Sequence, residues 1–198
     1  MRITGGLARG IRLQAPAGTM TRPATDQMRE AVFSSLGQAV VGAEVADWFA
    51  GTGAYGLEAL SRGAKHCSFF ESDLQAINCL KANLQALAQS LGKAPQAIAS
   101  ITRRDLLAPA NATARLNHAQ LVFVDPPYEL LESHWLGILN RLSCTCITGE
   151  GRVIFEVPGD WHQDPIGWQT IKRLGKNHRG KPNALILKQI ATTQESGA

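Results

Sequence analysis

The sequence predicts an α/β domain built on a seven-stranded, mostly parallel sheet with helices on both faces. From residue 43 onward, apolar segments of strand length alternate with helical patterns, which favours parallel strands joined by right-handed crossovers. The segment 121–124 is apolar without alternation, as in a central strand covered on both faces. A glycine-rich turn, 50–56, connects a strand to a helix early in this series.

The chain is predicted to begin with a small basic hairpin. Residues 2–4 and 10–14 can pair around a glycine-containing turn. We assign 1–24 to this N-terminal hairpin or arm, 25–190 to the main domain and 191–198 to a loose C-terminal tail.

Seven strands and four helices are predicted in the main domain. The first helix begins at an N-cap, Thr25 or Asp26, and ends near Leu36, before Gly37. The strands are predicted at 44–49, 66–70, 97–102, 121–124, 152–157, 168–174 and 184–190. The other helices are predicted at 57–62, 74–91 and 133–142.

Positive charge is concentrated at the two ends of the 198-residue chain. The net charge is +4 overall, but residues 1–29 carry +4 and residues 172–198 carry +5, whereas 30–171 carry −5. The ends are either solvated tails or surfaces that converge in space to bind polyanionic phosphate. Composition alone leaves both interpretations open.

Composition also limits the cellular setting. No apolar run approaches the length of a membrane span, and the N-terminus lacks the apolar core of a signal peptide, so we expect a cytoplasmic protein with no membrane partner. Cys67, Cys79, Cys144 and Cys146 do not form CxxC pairs, and no histidine cluster accompanies them. We therefore expect reduced thiols and no metal site.

The most informative stretch chemically is Asp125-Pro126-Pro127-Tyr128, which follows the fourth predicted strand. The two prolines lack N–H groups, so the strand must end there, with Asp125 held at the carboxyl edge of the sheet, where α/β folds bind ligands. Asp125 and the Pro126 carbonyl could accept both hydrogens of an exocyclic amine, and Tyr128 could stack on an extruded base. A purely structural turn is the alternative.

A second motif surrounds the glycine-rich turn. Gly51, Gly53 and Gly56 match G-x-G-x-x-G, and Glu71 ends the following strand. Glycines let the backbone approach a ligand closely, and the acidic residue can bind ribose hydroxyls. A P-loop is excluded because no Lys-Ser/Thr follows the glycines, whereas a nicotinamide dinucleotide site and a structural turn without a ligand stay open.

The stretch from Asp47 to Gly53 resembles motif I of Rossmann-like class I methyltransferases, which use S-adenosylmethionine. With the Asp125 turn, the resemblance implies methylation of an amine. The cofactor-binding residues it implies are Asp47, Phe49, Ala50, Gly51, Thr52, Gly53, Glu71, Ser72, Asp105 and Leu106. An N-cap is the alternative role for Asp105. We expect Glu156 and Asp160 only to cap or solvate the sheet edge.

The chain as a whole resembles the RsmD-type methyltransferases, which modify the N2 amine of a guanine in small-subunit ribosomal RNA. The matching blocks are Arg2-Ile3-Thr4-Gly5-Gly6, Thr21-Arg22-Pro23, Arg29-Glu30-Ala31-Val32-Phe33, the glycine turn with the helix after it, and Val124-Asp125-Pro126-Pro127-Tyr128. Tyr55 stands where the family usually has a smaller aliphatic residue, and 176–181 lacks an expected Tyr-Gly.

The resemblance implies an enzyme acting on ribosomal RNA in the small subunit or its assembly intermediate, and we expect a monomer. The implied catalytic residues are Asp125, Pro126, Pro127 and Tyr128, and the expected RNA-binding residues are Arg2, Arg9, Arg12, Arg22, Lys176, Arg179 and Lys181. An adenine-N6 DNA or RNA methyltransferase would use the same tetrapeptide. A protein glutamine methyltransferase would typically have Asn at position 125, and a non-catalytic RNA-binding module would need only the basic ends.

Overall fold

The computed structural model describes residues 1–16, 26–108, 119–143 and 147–190. The strands are β1 (Glu44–Trp48), β2 (His66–Glu71), β3 (Ala99–Arg103), β4 (Ala119–Val124), β5 (Ile147–Pro158), β6 (Trp168–Leu174) and β7 (Pro182–Gln189). The helices are α1 (Asp26–Leu36), α2 (Ala54–Ser61), α3 (Leu74–Ser90), α4 (Pro95–Ile98) and α5 (Tyr128–Ser143), with a 3-10 turn at Gly37–Val40.

The strands form one seven-stranded sheet in the order β3-β2-β1-β4-β5-β7-β6. Strands β1 to β5 pair in parallel, and β7 runs antiparallel between β5 and β6. The predicted fold class is therefore confirmed. No helix in the described part of the chain is long and apolar enough to cross a membrane.

Two apolar layers cover the sheet, and β4 belongs to both. Phe123 packs with residues of α1, α2 and α3 on one face, whereas Val122 and Val124 pack with residues of α5 on the other. Successive side chains of a strand point to opposite faces, so a strand buried on both sides has no polar alternation. This explains the continuous apolar run, and it places the end of β4 at the centre of the fold.

The N-terminal hairpin forms and packs into the core. The backbones of Arg2 and Arg12 pair in an antiparallel β-bridge. Ile3 and Leu13 are buried in the apolar layer that contains α1 to α3. The backbone N–H of Thr4 donates to a carboxylate oxygen of Glu58 on α2 at 2.8 Å. The hairpin is thus fixed to the helix that follows the glycine-rich turn.

Several predicted boundaries were wrong. Helix α2 begins at Ala54 rather than at 57. Helix α5 begins at Tyr128 rather than at 133, because the Pro127 carbonyl already accepts the N–H of Leu130 at 2.9 Å. Strand β3 begins at Ala99 rather than at 97, because Pro95 starts a single helical turn. Strand β5 begins at Ile147, five residues before the predicted start. Thr25 and the tail 191–198 lie outside the described residues.

Candidate functional site

A cavity of about 770 Å³ lies at the carboxyl edge of the parallel strands. Its volume is in the range of small-molecule pockets. Both predicted motifs contribute to its wall, which contains residues 49–52 and 125–128. Eight of the predicted cofactor-binding residues line it: Phe49, Ala50, Gly51, Thr52, Glu71, Ser72, Asp105 and Leu106. The fold therefore brings the glycine turn and the Asp125 turn to one space.

The other two predicted cofactor-binding residues, Asp47 and Gly53, lie behind the cavity wall and shape the turn. One oxygen of Asp47 accepts the backbone N–H of Gly56 at 2.8 Å, and burial raises the pKa of Asp47 to about 8. Gly53 has a φ of 84°, and a Cβ there would lie 2.3 Å from a methyl group of Leu80. A side chain at position 53 would thus displace the turn from helix α3.

The backbone is strained where β1 enters the glycine turn. Phe49 has a φ of 57°, in the left-handed region that non-glycine residues rarely adopt. The next residue is fixed because the N–H of Ala50 donates to the Phe70 carbonyl at 3.0 Å. Strain of this kind persists where surrounding contacts hold it, and it occurs most often at ligand-binding sites.

Glu71 connects the end of β2 to the glycine turn. Its Oε2 accepts the N–H of Gly51 at 2.7 Å, and its Oε1 accepts the N–H groups of Ser72 and Asp73 at 2.7 and 2.8 Å. A carboxylate oxygen has two acceptor positions, so Oε2 can accept one further hydrogen bond from a ligand hydroxyl. Glu71 therefore holds the turn and still faces the cavity.

Asp125 extends from the end of β4 into the cavity. Its backbone N–H donates to the Trp48 carbonyl at 3.4 Å, but no side chain or backbone group in the described part of the chain donates to its carboxyl group. Burial raises the pKa of Asp125 well above its usual value, the nearby charges of Glu156 and Asp47 raise it further, and Arg29 lowers it. The carboxyl group thus has acceptor positions available to a ligand.

Tyr128 is the first residue of α5 and forms the neighbouring part of the wall. Its hydroxyl donates to the Val157 carbonyl at 3.3 Å, which fixes the ring between β4 and β5. Pro126 is buried and Pro127 is exposed, and both line the cavity. All four predicted catalytic residues therefore meet in one place.

The structure also places the carboxylate of Glu156, near the end of β5, in this wall. We expected Glu156 only to cap or solvate the sheet edge, and this was wrong, because the residue is only 5% exposed and its Oε2 accepts the hydroxyl of Tyr55 at 2.7 Å. Asp160 is exposed, as expected. The pairing of Val124 with Phe155 sets Glu156 beside Asp125, and this register is not visible in either strand alone.

Asp105 and Leu106 follow β3 at the far side of the cavity. Asp105 Oδ1 accepts the N–H of Leu107 at 2.8 Å, so the capping role that we considered as an alternative is present, and the side chain also lines the cavity. Further wall residues that the sequence did not single out are Met1, Pro16, Ala54, Phe70, Asp73, Ala76, Arg104, Leu107, Glu129 and Leu130.

Arg2 and Arg12 lie on the part of the hairpin near this edge. The predicted RNA-binding residue Arg9 lies instead at the hairpin tip, which packs against Ser61 at the far end of α2. Arg2, Arg9 and Arg12 are exposed, and Arg2 lies 3.8 Å from a carboxylate oxygen of Asp26. Arg22 lies outside the described residues. The hairpin is close to the cavity because Met1 and Pro16, near its two ends, line the wall.

The C-terminal basic segment reaches the same edge from the other side. Residues 176–181 join β6 to β7, and Lys176, Arg179 and Lys181 are exposed. The Lys181 carbonyl accepts the N–H of Gly159, which follows the end of β5, at 2.8 Å. Both basic ends of the chain therefore flank the edge at which the cavity opens.

Comparisons with known proteins give a consistent result. The model of the family described as conserved hypothetical protein 95 matches residues 1–183. The chain is 41% identical over 129 residues to YlbH of Bacillus subtilis, a candidate rRNA methyltransferase, covering 65% of this chain and 67% of that protein.

It is also 32% identical over 188 residues to ribosomal RNA small subunit methyltransferase D of Escherichia coli K12, covering 88% of each chain. The solved structure of yhhF, a candidate methyltransferase from Escherichia coli, superimposes with a TM-score of 0.76 at 26% identity and covers 97% of this chain and 99% of that one.

Proposed function

The chain belongs to the RsmD family of ribosomal RNA methyltransferases, and we propose that it transfers a methyl group from S-adenosylmethionine to the exocyclic N2 amine of a guanine in small-subunit ribosomal RNA. One observation carries the proposal. The Asp125 turn opens onto the same cavity as the glycine turn and Glu71. A carboxyl group that can accept hydrogen bonds from a substrate amine therefore faces the space in which a cofactor would lie.

The residues around the glycine turn fit S-adenosylmethionine, which supplies, when bound, an electrophilic methyl group on a positively charged sulfonium. The tight backbone at 49–52 leaves room for close approach, and the free acceptor position of Glu71 suits a ribose hydroxyl. Asp105 and Leu106 line the end of the cavity after β3 and suit the adenine ring and its amino group. The carboxyl groups around the cavity favour a cation.

The Asp125 turn suits an amine that is a poor nucleophile. The lone pair of a nucleobase amino nitrogen is delocalised into the ring, and the amine attacks a methyl group only when that lone pair is directed towards it. Asp125 and the Pro126 carbonyl can accept the two amine hydrogens and favour a pyramidal nitrogen. The two prolines fix the geometry of both acceptors, so the orientation is set before the base enters.

Tyr128 and the turn around it suit an extruded base. Stacking of a base on an aromatic ring contributes roughly 1–3 kcal/mol, which is comparable with the few kcal/mol that base flipping costs. The hydroxyl contact with Val157 orders the ring of Tyr128 at its far end, so little further ordering is needed on binding.

The two basic ends suit the phosphates that surround the target. Arg2 and Arg12 lie on one side of the cavity, and the segment 176–181 lies on the other. Phosphate contacts of this kind supply affinity without reading the base sequence. We infer that the protein acts as a cytoplasmic monomer on the small subunit or on its assembly intermediate.

Transfer of a labelled methyl group tests this function. The purified protein is incubated with tritiated S-adenosylmethionine and with small subunits, large subunits or free small-subunit rRNA from cells that lack the gene. We expect label on N2 of one guanine of the small-subunit rRNA and none on large subunits. Label on a DNA or RNA adenine, or on protein alone, would contradict the proposal.

A further inference from the structure

Glu156 and Asp125 form a pair of carboxyl groups at the ends of two adjacent strands. Val124 pairs with Phe155 in parallel register, so the next residue of each strand lies beside the other at roughly the 4.8 Å spacing between strands. Phe123 and Ile154, two positions before each carboxyl group, pack in the same apolar layer, so both carboxyl groups are on one face. Both line the cavity.

Glu156 is held in place by hydroxyl groups. The Tyr55 hydroxyl donates to Oε2 at 2.7 Å, and the Tyr55 ring is stacked on Phe123 with centroids 5.1 Å apart and is only 4% exposed. The hydroxyl of Tyr128 also lies within reach of this carboxylate and can donate its single hydrogen either there or to the Val157 carbonyl. Burial raises the pKa of Glu156, and the hydrogen bond from Tyr55 opposes that rise, whereas Asp125 has no donor in the described part of the chain.

Guanine and adenine differ at the ring atom beside the target amine. In guanine the N2 amine is next to N1–H, a donor, whereas in adenine the N6 amine is next to N1, an acceptor. A carboxylate placed one strand away from the amine acceptor can accept N1–H from guanine and repels the lone pair of N1 in adenine. The second carboxyl group thus suits the Watson–Crick edge of guanine.

We propose that Glu156 determines specificity by accepting the N1–H of the target guanine while Asp125 holds its N2 amine. This inference rests on the proposed function, since it assigns the feature that selects guanine at the same site. Tyr55 acts through Glu156 as a positioning residue. Its phenol provides the donor that a smaller aliphatic side chain at position 55 would lack.

The test uses an RNA in which the mapped target guanine is replaced by 2-aminopurine, which keeps the N2 amine but has a lone pair at N1. The wild-type protein should show a kcat/KM about 10- to 100-fold higher for guanine, as expected for one hydrogen bond to a charged group. Glu156→Gln should lose most of its activity on guanine and little on 2-aminopurine. Tyr55→Phe, which keeps the ring packing, should reduce the ratio by a smaller factor.

The outcomes separate this inference from the proposed function. Glu156→Gln keeps an acceptor for Tyr55, and unchanged affinity for S-adenosylhomocysteine would show that the site is intact. A guanine to 2-aminopurine ratio that is the same in wild type and both variants would overturn the role of Glu156. No methylation of either RNA by the wild-type protein would instead overturn the proposed function.

Discussion

Asp125→Asn is expected to remove most of the catalysis while leaving the fold intact. The substitution keeps the size of the side chain but exchanges one acceptor oxygen for an NH2 group, which would face a hydrogen of the substrate amine. Removing one preorganised polar group that acts on a transition state typically lowers kcat by roughly 10²–10³-fold. No described group donates to the Asp125 carboxyl, so little internal structure depends on its charge.

The same substitution should not reduce stability. Burial and the charge of Glu156 raise the pKa of Asp125, so the folded protein disfavours the carboxylate, and a neutral side chain removes that penalty. We expect an unchanged or higher Tm and unchanged affinity for S-adenosylhomocysteine by calorimetry.

Single-turnover transfer of a tritiated methyl group to small subunits measures the rate. Asp160→Asn, in an exposed carboxylate just beyond β5, is the matched control and should behave as wild type. A single-turnover rate constant for Asp125→Asn within about threefold of wild type would refute the role of Asp125.

Three further substitutions test the cofactor site, the basic edge and the buried carboxyl group. Glu71→Gln should weaken S-adenosylhomocysteine binding about 10- to 100-fold in calorimetry, because a charged acceptor is lost, and unchanged affinity would contradict the assignment. Reversal of Lys176 and Arg179 to Glu should weaken RNA binding and reduce the slope of log affinity against log salt by roughly 2, whereas Lys93→Glu, in an exposed turn after α3, should not. Because the pKa of Asp47 is raised to about 8, the folded state retains a proton that the unfolded state loses above about pH 4. Between these two pH values, the free energy of unfolding should therefore fall by up to about 1.4 kcal/mol for each unit of rising pH. Asp47→Asn should flatten that slope in urea unfolding, and an equally steep slope would count against the buried proton.

Local signals were sufficient to predict the sheet and the two turns. Each of these signals predicts the structure of its own segment: the continuous apolar run of β4, the prolines that end that strand, and the glycines after β1. The parallel strands then bring their carboxyl ends to one edge, so the fold class alone places Asp125 and Glu71 at the edge where the cavity lies.

Features that depend on contacts between distant residues were not predicted. The role of Glu156 depends on the register of β4 with β5 and on a hydroxyl from α2, which is 101 residues earlier in the chain. Similarly, nothing in residues 1–16 alone indicates that Thr4 would donate to buried Glu58. The early start of α5 was missed because the two prolines were interpreted only as the end of a strand, although proline also suits the residues that precede a helix.

The nucleosides of ribosomal RNA provide the most direct test of the central claim, that this site methylates the N2 amine of a guanine. Small-subunit rRNA from cells with and without the gene is digested and analysed by mass spectrometry, with position mapping of any difference. The account predicts that one N2-methylguanine is absent without the gene, returns with the wild-type protein and does not return with Asp125→Asn. An unchanged content of N2-methylguanine, or loss of N6-methyladenine instead, would contradict it.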